Sequence, residues 1–301
     1  MNISMIDSDA QMRRVLNAPQ SQRADAIRTL WEPMGGMFQF VPGGLDMVRV
    51  HEQNFGFPTD DSSRATVEDA LRVLEDADAW RRIEAALETG IATVSAADPE
   101  ATIPDLTVLL VLGDPTNTHF MDEVQGLTAF GGISEFIVIT IWPTERVLER
   151  LEAIAVHELH HNLRYSPGGV VWNPQTVTVG EQVVAEGLAD VFASELYGPA
   201  GLTHFVSDET RADDDVLAKV VSGLDVTGME NFGGWVLGDA TAKLFGGTPV
   251  GLPAGAGYAA GARLVTAYLE ATGTTAAQSV RVPAADILGV ALPRVGRELG
   301  R

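Results

Sequence analysis

Two short runs of apolar residues constrain the fold of this chain more than any other feature. They are LTVLLVL (106–112) and FIVITIW (136–142). Each is far shorter than the roughly 20 residues that a membrane-spanning helix needs. Their length and their content of β-branched and aromatic residues predict two buried strands, over 105–112 and 135–142. The first half of the chain must therefore contain a sheet.

Helical periodicity dominates the rest of the chain, where apolar residues recur at spacings of three and four. The predicted helices are 10–31, 66–90, 145–164 and 181–198, preceded by a short strand over 2–6, with loops over 36–62 and 165–180. Gly90 is the predicted C-cap of the second helix, and Thr144 is the predicted N-cap of the third.

The segregation of these elements predicts the fold class. Every strand prediction falls before residue 143, and the chain after that point is mostly helical. This order is typical of α+β proteins, here with a small mixed sheet in the N-terminal part. We expect a subdomain boundary in the 165–180 loop, giving an N-terminal subdomain of residues 1–165 and a mainly helical C-terminal subdomain of residues 166–301.

The charge of the chain narrows the class of partner. There are 41 acidic and 20 basic residues, and the formal net charge is −21. Such a surface repels phosphates, so we expect neither nucleic acid nor an anionic membrane as a partner. The acidic runs PTDD (58–61) and RADDD (211–215) are most simply solvated turns and helix starts, with a calcium site as the alternative.

Cysteine usage and the first residues bear on the cellular location. The chain has no cysteine, which excludes disulfides and thiolate metal ligands. The segment MNISMIDSDAQMRR has acids where a secretory signal has bases, and no apolar segment follows it. We therefore expect a cytoplasmic protein.

Three of the six histidines fall within five positions, in the sequence HELHH. On the predicted helix, at about 100° per residue, His157 and His161 share the edge of an apolar arc, and Glu158 lies beside them. His160 points the other way, so we expect it to face solvent or to lie behind the pair. The alternative is an accidental cluster of histidines on an amphipathic helix.

The spacing H-E-x-x-H suits a catalytic metal ion. Two imidazoles one helical turn apart can place nitrogens ~2.0–2.1 Å from one tetrahedral zinc ion. Glu158 can then reach a zinc-activated water, take its proton and pass it to a leaving group. The motif predicts one Zn²⁺ per chain, with His157 and His161 as ligands and Glu158 as general base.

A catalytic zinc site needs a third protein ligand, and the next predicted helix offers candidates in VAEGLADVF. Glu186 and Asp190 lie four residues apart beside an apolar surface, where an unpaired carboxylate is costly to bury. We predict that Glu186 binds the metal and that Asp190 accepts a hydrogen bond from the outer imidazole nitrogen of His157. Glu181 is the next candidate ligand, and the alternative is that these acids are exposed on an ordinary helix.

HELHH, 24 intervening residues and EGLAD together resemble the gluzincin metallopeptidases, in which a glutamate ligand and then an aspartate follow H-E-x-x-H. More narrowly, the chain resembles the YjaZ-like family of predicted zinc-dependent proteases. The resemblance is strongest over 126–198, weaker over 231–239 and 257–273, and slight over 1–100. It implies a zincin-like fold in which EFIVITI is an edge strand that pairs with an extended peptide. An ordinary core strand is the alternative.

The same resemblance implies a phenol or an imidazole, downstream of the glutamate ligand, that stabilises negative charge on the carbonyl oxygen during hydrolysis. We favour Tyr258, which follows the glycine-rich loop GLPAGAG. The alternatives are His204, Tyr197 and Tyr268.

Three other residues have less specific assignments. Trp172 lies in the loop between the two ligand helices, where a lid would lie. His51 and His119 lie in N-terminal segments that are predicted as loops, and we expect both at the surface.

These observations favour a zinc-dependent metallopeptidase that acts on a peptide or protein substrate. One alternative is a catalytically weak zincin-fold protein with a binding or regulatory role, and another is a zinc hydrolase of a non-peptide amide. An acidic, chaperone-like binding protein is a third, for which chelation would leave function unchanged. Glu158 argues against an inactive scaffold, because a general base between two ligands has no purpose without turnover.

Overall fold

The structure is a computed structural model that describes residues 2–41 and 43–298. The chain forms two compact units: unit 1 is Met1–Thr89 with Ile103–Asn162, and unit 2 is Gly90–Thr102 with Leu163–Arg301. The described helices are α1 (Ser8–Asn17), α2 (Arg23–Trp31), α3 (Met47–Gln53), α4 (Arg64–Asp76), α5 (Ala79–Ala97), α6 (Glu145–Leu148), α7 (Leu151–Arg164), α8 (Val179–Tyr197), α9 (Asp208–Ala212), α10 (Asp214–Val221), α11 (Asp239–Leu244), α12 (Ala256–Thr272) and α13 (Ala284–Glu298). Among the described residues, no helix is long and apolar enough to cross a membrane.

Unit 1 is built around a four-stranded sheet. Its strands are β1 (Ile3–Met5), β2 (Leu106–Leu112), β3 (Leu127–Phe130) and β4 (Phe136–Ile141). Their order is β1-β2-β4-β3, with β1, β2 and β4 parallel and β3 antiparallel to β4. The two apolar runs form the centre of this sheet, because strands buried on both faces need apolar residues at successive positions. The α+β prediction with a small mixed sheet is confirmed.

The position of β4 corrects the expectation of an edge strand. β4 pairs with β2 on one side and with β3 on the other, so EFIVITI is an interior strand. The edge strand next to β4 is β3, for which the sequence gives no strand prediction. Its four residues are too few to show the alternation of a half-buried strand.

The predicted helices of unit 1 are interrupted more often than their periodicity suggests. The 10–31 segment is divided between α1 and α2 at Pro19, which cannot donate a backbone hydrogen bond. The 66–90 segment is divided at Asp78, whose φ is 54°. Gly90 is not a C-cap, because α5 continues through it to Ala97. The 145–164 segment consists of α6 and α7, and Thr144 caps α6 by accepting from the backbone N–H of Val147.

Helix α3 lies within the segment predicted as a loop, and its His51 is buried. The expectation that His51 lies at the surface is wrong. Its Nδ1 accepts a hydrogen bond from Nε1 of Trp31 at 3.1 Å, so its Nε2 carries the proton and donates to the carbonyl of Phe57 at 2.9 Å. Burial lowers the pKa of His51 to about 4. His119 is only partly exposed.

Unit 2 is helical, with α12 packed against α8, α10 and α13. The crossing of α8 and α12 depends on two glycines. A Cβ atom at Gly187 would lie 2.3 Å from the carbonyl carbon and oxygen of Gly261, and a Cβ atom at Gly261 would lie 2.2 Å from the carbonyl oxygen of Val183. The two backbones can approach this closely only because neither position carries a side chain.

Candidate metal centre

Helix α7 carries the HELHH sequence and is enclosed rather than amphipathic. Every residue from Ala155 to Arg164 is buried, so the predicted apolar arc is only part of its buried surface. His160 is completely buried, and the expectation that it faces solvent is wrong. A helix buried on all sides has to place its polar side chains on specific partners, since an unpaired polar group in the interior is costly.

His157 and His161 stand together on α7, as their spacing predicts. Their Nε2 atoms lie 3.2 Å apart, and the ring planes meet at 75° with centroids 4.9 Å apart. Both imidazoles are buried. Two imidazole nitrogens at this separation can both reach one metal ion.

The backbone of Glu158, on α7, packs against Gly131, the residue that follows the edge strand β3. A Cβ atom on Gly131, the residue directly after β3, would lie 2.2 Å from the carbonyl oxygen of Glu158 and 2.9 Å from its Cβ. Only glycine permits this approach. The end of the edge strand is therefore held against α7 at the residue predicted as general base.

Asn162 makes a second attachment between α7 and the β3–β4 connection, and the sequence motif did not indicate it. Its Oδ1 accepts from the backbone N–H of Glu135 at 2.9 Å. Its Nδ2 donates to the carbonyls of Gly131, Ile133 and Phe136 at 3.1, 3.0 and 2.9 Å. A buried amide with donors and acceptors satisfied in this way fixes the connection relative to the helix.

Helix α8 begins two residues earlier than predicted. Thr178 is its N-cap and accepts from the backbone N–H of Glu181 at 3.0 Å. Every residue from Val179 to Asp190 is buried. Glu186 and Asp190 are therefore not exposed acids on an ordinary helix, and such buried carboxylates require pairing or a metal ion.

His157, His161 and Glu186 form a group that can hold a metal ion. Their ligand atoms, an imidazole nitrogen from each histidine and a carboxylate oxygen, all lie within 4.8 Å of one another. It is the one such group of histidine and acidic side chains within residues 2–41 and 43–298. Two imidazoles with one carboxylate is a ligand set typical of catalytic zinc.

Asp190, one turn beyond Glu186, anchors the segment that follows α8. Its Oδ1 accepts from Oγ1 of Thr203 at 2.7 Å, and its Oδ2 accepts from the backbone N–H of Thr203 at 3.1 Å. Each carboxylate oxygen has two lone pairs, so capacity remains for the hydrogen bond from His157 that we predict. His204 comes directly after this anchor and is buried.

Glu181, the second candidate for the third ligand, lies outside the metal-binding group and is bound to Arg164. Nε and Nη2 of Arg164 donate to its two carboxylate oxygens, both at 2.8 Å. The hydroxyl of Tyr165 also donates to Glu181, at 3.1 Å. Burial, and then the charges of Glu181 and Glu186, raise the pKa of Tyr165 well above its usual value, so its hydroxyl stays protonated and continues to donate.

Tyr258 lies in the first turn of α12 and is partly exposed. Its ring meets that of Phe205 edge to face, with centroids 5.6 Å apart, and Phe205 in turn meets His204 at 5.5 Å. The favoured residue and its first alternative therefore belong to one aromatic cluster. Tyr197 ends α8, and Tyr268 is buried in α12.

The loop between α7 and α8 carries two exposed apolar side chains. Val171 is 91% exposed and Trp172 is 37% exposed. Exposure of this kind is compatible with the lid role predicted for Trp172, which stays a prediction.

A paired-histidine helix together with a buried glutamate defines a candidate metalloprotein. The chain belongs to the family described as predicted Zn-dependent protease (DUF2268), whose model matches residues 80–289. It is also 28% identical over 301 residues to the uncharacterized protein YjfC of Bacillus subtilis (strain 168), covering 96% of this chain and 97% of that protein. No solved structure matches. The matched segment contains every residue of the metal-binding group, and the family resemblance is confirmed.

Proposed function

We propose that this protein is a zinc-dependent metallopeptidase in which His157, His161 and Glu186 hold one Zn²⁺. The observation that carries the proposal is the convergence of these three buried side chains. The family description supports zinc as the metal and proteolysis as the activity. The gluzincin pattern, HELHH with EGLAD, supports the same assignment.

The spacing of the two imidazoles fits zinc. Ligands at ~2.0–2.1 Å in a tetrahedral arrangement place their donor atoms about 3.3 Å apart. The Nε2 atoms of His157 and His161 are 3.2 Å apart. The pair therefore needs little adjustment to bind the ion, and three protein ligands leave one position for water or substrate.

When bound, zinc supplies a Lewis acid that makes water nucleophilic near neutral pH and polarises the scissile carbonyl. Glu158 is the general base in our proposal. Its carboxylate takes a proton from the attacking water and delivers that proton to the departing amine nitrogen. Asp190 accepts from the outer nitrogen of His157, which keeps the imidazole in the tautomer that presents Nε2 as a ligand.

Tyr258 is the proposed electrophilic helper. Its phenol would donate a hydrogen bond to the carbonyl oxygen as negative charge develops there. The contact with Phe205 supports this role, because it limits the positions that the tyrosine ring can adopt.

The proposed substrate is an extended peptide. Among the described strands β3 pairs with β4 alone, so its other side is a sheet edge to which a further strand can be added. This edge ends at Gly131, against Glu158. A peptide added to β3 would thus run toward the proposed general base, with backbone hydrogen bonds supplying affinity. The charge of −21 favours neither nucleic acid nor an anionic membrane as a partner.

Replacement of Glu158 by glutamine tests the mechanism. We expect Glu158→Gln to keep one zinc per chain and to lose cleavage of a proteome-derived peptide library, because the amide cannot accept the proton. Glu152→Gln is the matched control, since Glu152 lies on the same helix and pairs with Arg82 instead. The control should cleave like the wild type. Cleavage by Glu158→Gln at the wild-type rate would exclude the proposed base.

Metal analysis separates the proposal from its alternatives. We expect about one zinc per chain in the wild type and a sharp reduction in His161→Ala. Zinc binding without cleavage of any peptide would favour a binding protein on the same scaffold. Cleavage of small amides but not of peptides would favour a hydrolase of another amide class.

A further inference from the structure

We propose that Arg164 and Glu181, with Tyr165, form a buried clamp that sets the spacing of the metal ligands. Arg164 and Glu181 are then positioning residues, which act through the helices that carry the ligands. This inference rests on the proposed function and adds to it a determinant of metal affinity outside the ligand set.

The clamp joins the last turn of α7 to the first turn of α8. The side chain of Arg164 is completely buried and makes a bidentate pair with Glu181. Its Nη1 donates to the carbonyls of Val280 and Val282 at 3.0 and 2.9 Å, which ties the segment before α13 to the same guanidinium. Arg164 thus makes four hydrogen bonds in a planar fork that no other side chain reproduces.

The clamp lies close along the chain to the ligands that it would position. Arg164 follows His161 by three residues, about one helical turn. Glu181 precedes Glu186 by five residues, about 7.5 Å along the helix. A rigid link at these two points limits both the sliding and the rotation of one helix relative to the other. Zinc sites need ligand distances within about 0.2 Å of their preferred values, so such a limit bears directly on affinity.

Stability alone is a weak reason for this arrangement. The desolvation of two charges often offsets their attraction, and replacing a buried ion pair by apolar residues of similar size is frequently neutral or stabilising. A buried pair with nearly complete hydrogen bonding can instead select one geometry. We therefore predict that removing the clamp weakens zinc binding by more than the accompanying loss of stability can explain.

The decisive variant is the double substitution Arg164→Met and Glu181→Met, which removes the clamp without leaving an unpaired buried charge. Zinc affinity is measured on the full chain by competition with a chromogenic chelator, at a temperature where circular dichroism shows a folded protein. We expect the dissociation constant to rise about 10- to 100-fold, the range typical of groups that orient metal ligands. Glu181→Gln is nearly isosteric with the wild type, and its zinc dissociation constant is measured instead if the double variant does not fold.

Arg23→Met is the matched control. Arg23 is also a buried arginine, bound to the carbonyls of Ala18 and Thr59 and to Asp61, but it lies in unit 1 and on neither ligand helix. Its replacement should lower the melting temperature and leave the zinc dissociation constant at the wild-type value. Arg164→Lys, which keeps the charge but not the fork, should give an affinity between those of the wild type and the double variant.

Two outcomes would overturn the clamp and can be told apart. If the wild type binds zinc and the folded clamp variants bind it equally well, the clamp has no positioning role while the proposed function stands. If the wild type does not bind zinc, the proposed function and the clamp both fail.

Discussion

Replacing Gly187 by alanine is a stringent test of the arrangement around the glutamate ligand. The added Cβ would lie 2.3 Å from backbone atoms of Gly261, where about 3.4 Å is the usual contact distance. Helices α8 and α12 would have to separate by roughly 1 Å, because backbone cannot move aside as a flexible side chain can. The cost of overpacking is then at the upper end of its usual range, about 3 kcal/mol.

The intrinsic preference of helices for alanine over glycine offsets about 1 kcal/mol of this cost. The net loss is therefore about 2 kcal/mol, which lowers the melting temperature by about 3 °C in a chain of this size. Gly187 directly follows Glu186, and a shift of roughly 1 Å exceeds the tolerance of a zinc site. We accordingly expect weaker zinc binding as well, measured by chelator competition.

Gly289→Ala is the matched control for this prediction. Gly289 lies exposed in α13, and a Cβ atom there would meet nothing within 4 Å. The same substitution should raise the melting temperature by about 2 °C through helix propensity alone. If Gly187→Ala also raised the melting temperature, or left it unchanged, the close crossing of α8 and α12 would be wrong.

Three further predictions concern pH, a buried amide and the metal. Burial lowers the pKa of His51 to about 4, below its usual value of 6.5, so the unfolded chain binds the extra proton first as the pH falls. The free energy of unfolding should thus fall by up to about 3 kcal/mol between pH 7 and pH 4. Urea titrations at a series of pH values should show a smaller fall for His51→Gln, and an equal fall in both proteins would contradict this. Asn162→Leu leaves several buried backbone groups unpaired and should cost at least about 3 kcal/mol in urea denaturation, a prediction that a loss below about 1 kcal/mol would refute. Chelation should lower the melting temperature of the wild type and of Glu158→Gln but not of His161→Ala, since zinc at 100 times its dissociation constant adds about 2.7 kcal/mol of stability.

Local patterns in the sequence were sufficient to predict several features of the fold and of the site. The apolar runs identified β2 and β4, because a strand buried on both faces needs successive apolar residues. Four-residue spacing predicted that His157 and His161 stand together, since helical geometry fixes neighbours at this separation. The four-residue spacing of Glu186 and Asp190 beside an apolar surface made Glu186 a candidate third ligand, and Glu186 lies with the pair.

Other features had no local signal. The 145–164 periodicity predicted one amphipathic helix, whereas α7 begins only at Leu151 and is enclosed from Ala155 onward. His51 was assigned to the surface, and His160 either to the surface or to a position behind the pair, because burial of a polar residue depends on partners that lie elsewhere in the chain. For His51 those partners are Trp31 and Phe57.

The sequence by itself determined the composition of the sheet centre, the paired histidines and the glutamate between them. Each follows from the period of a strand or of a helix. Only the tertiary structure decided that β3 rather than β4 lies at an edge of the sheet, that Glu181 pairs with Arg164 rather than joining the ligand set, and that α8 and α12 meet at two glycines. These outcomes depend on which distant segments pack together. Two similar glutamates on one helix differ because packing places Arg164 beside Glu181 and two histidines beside Glu186.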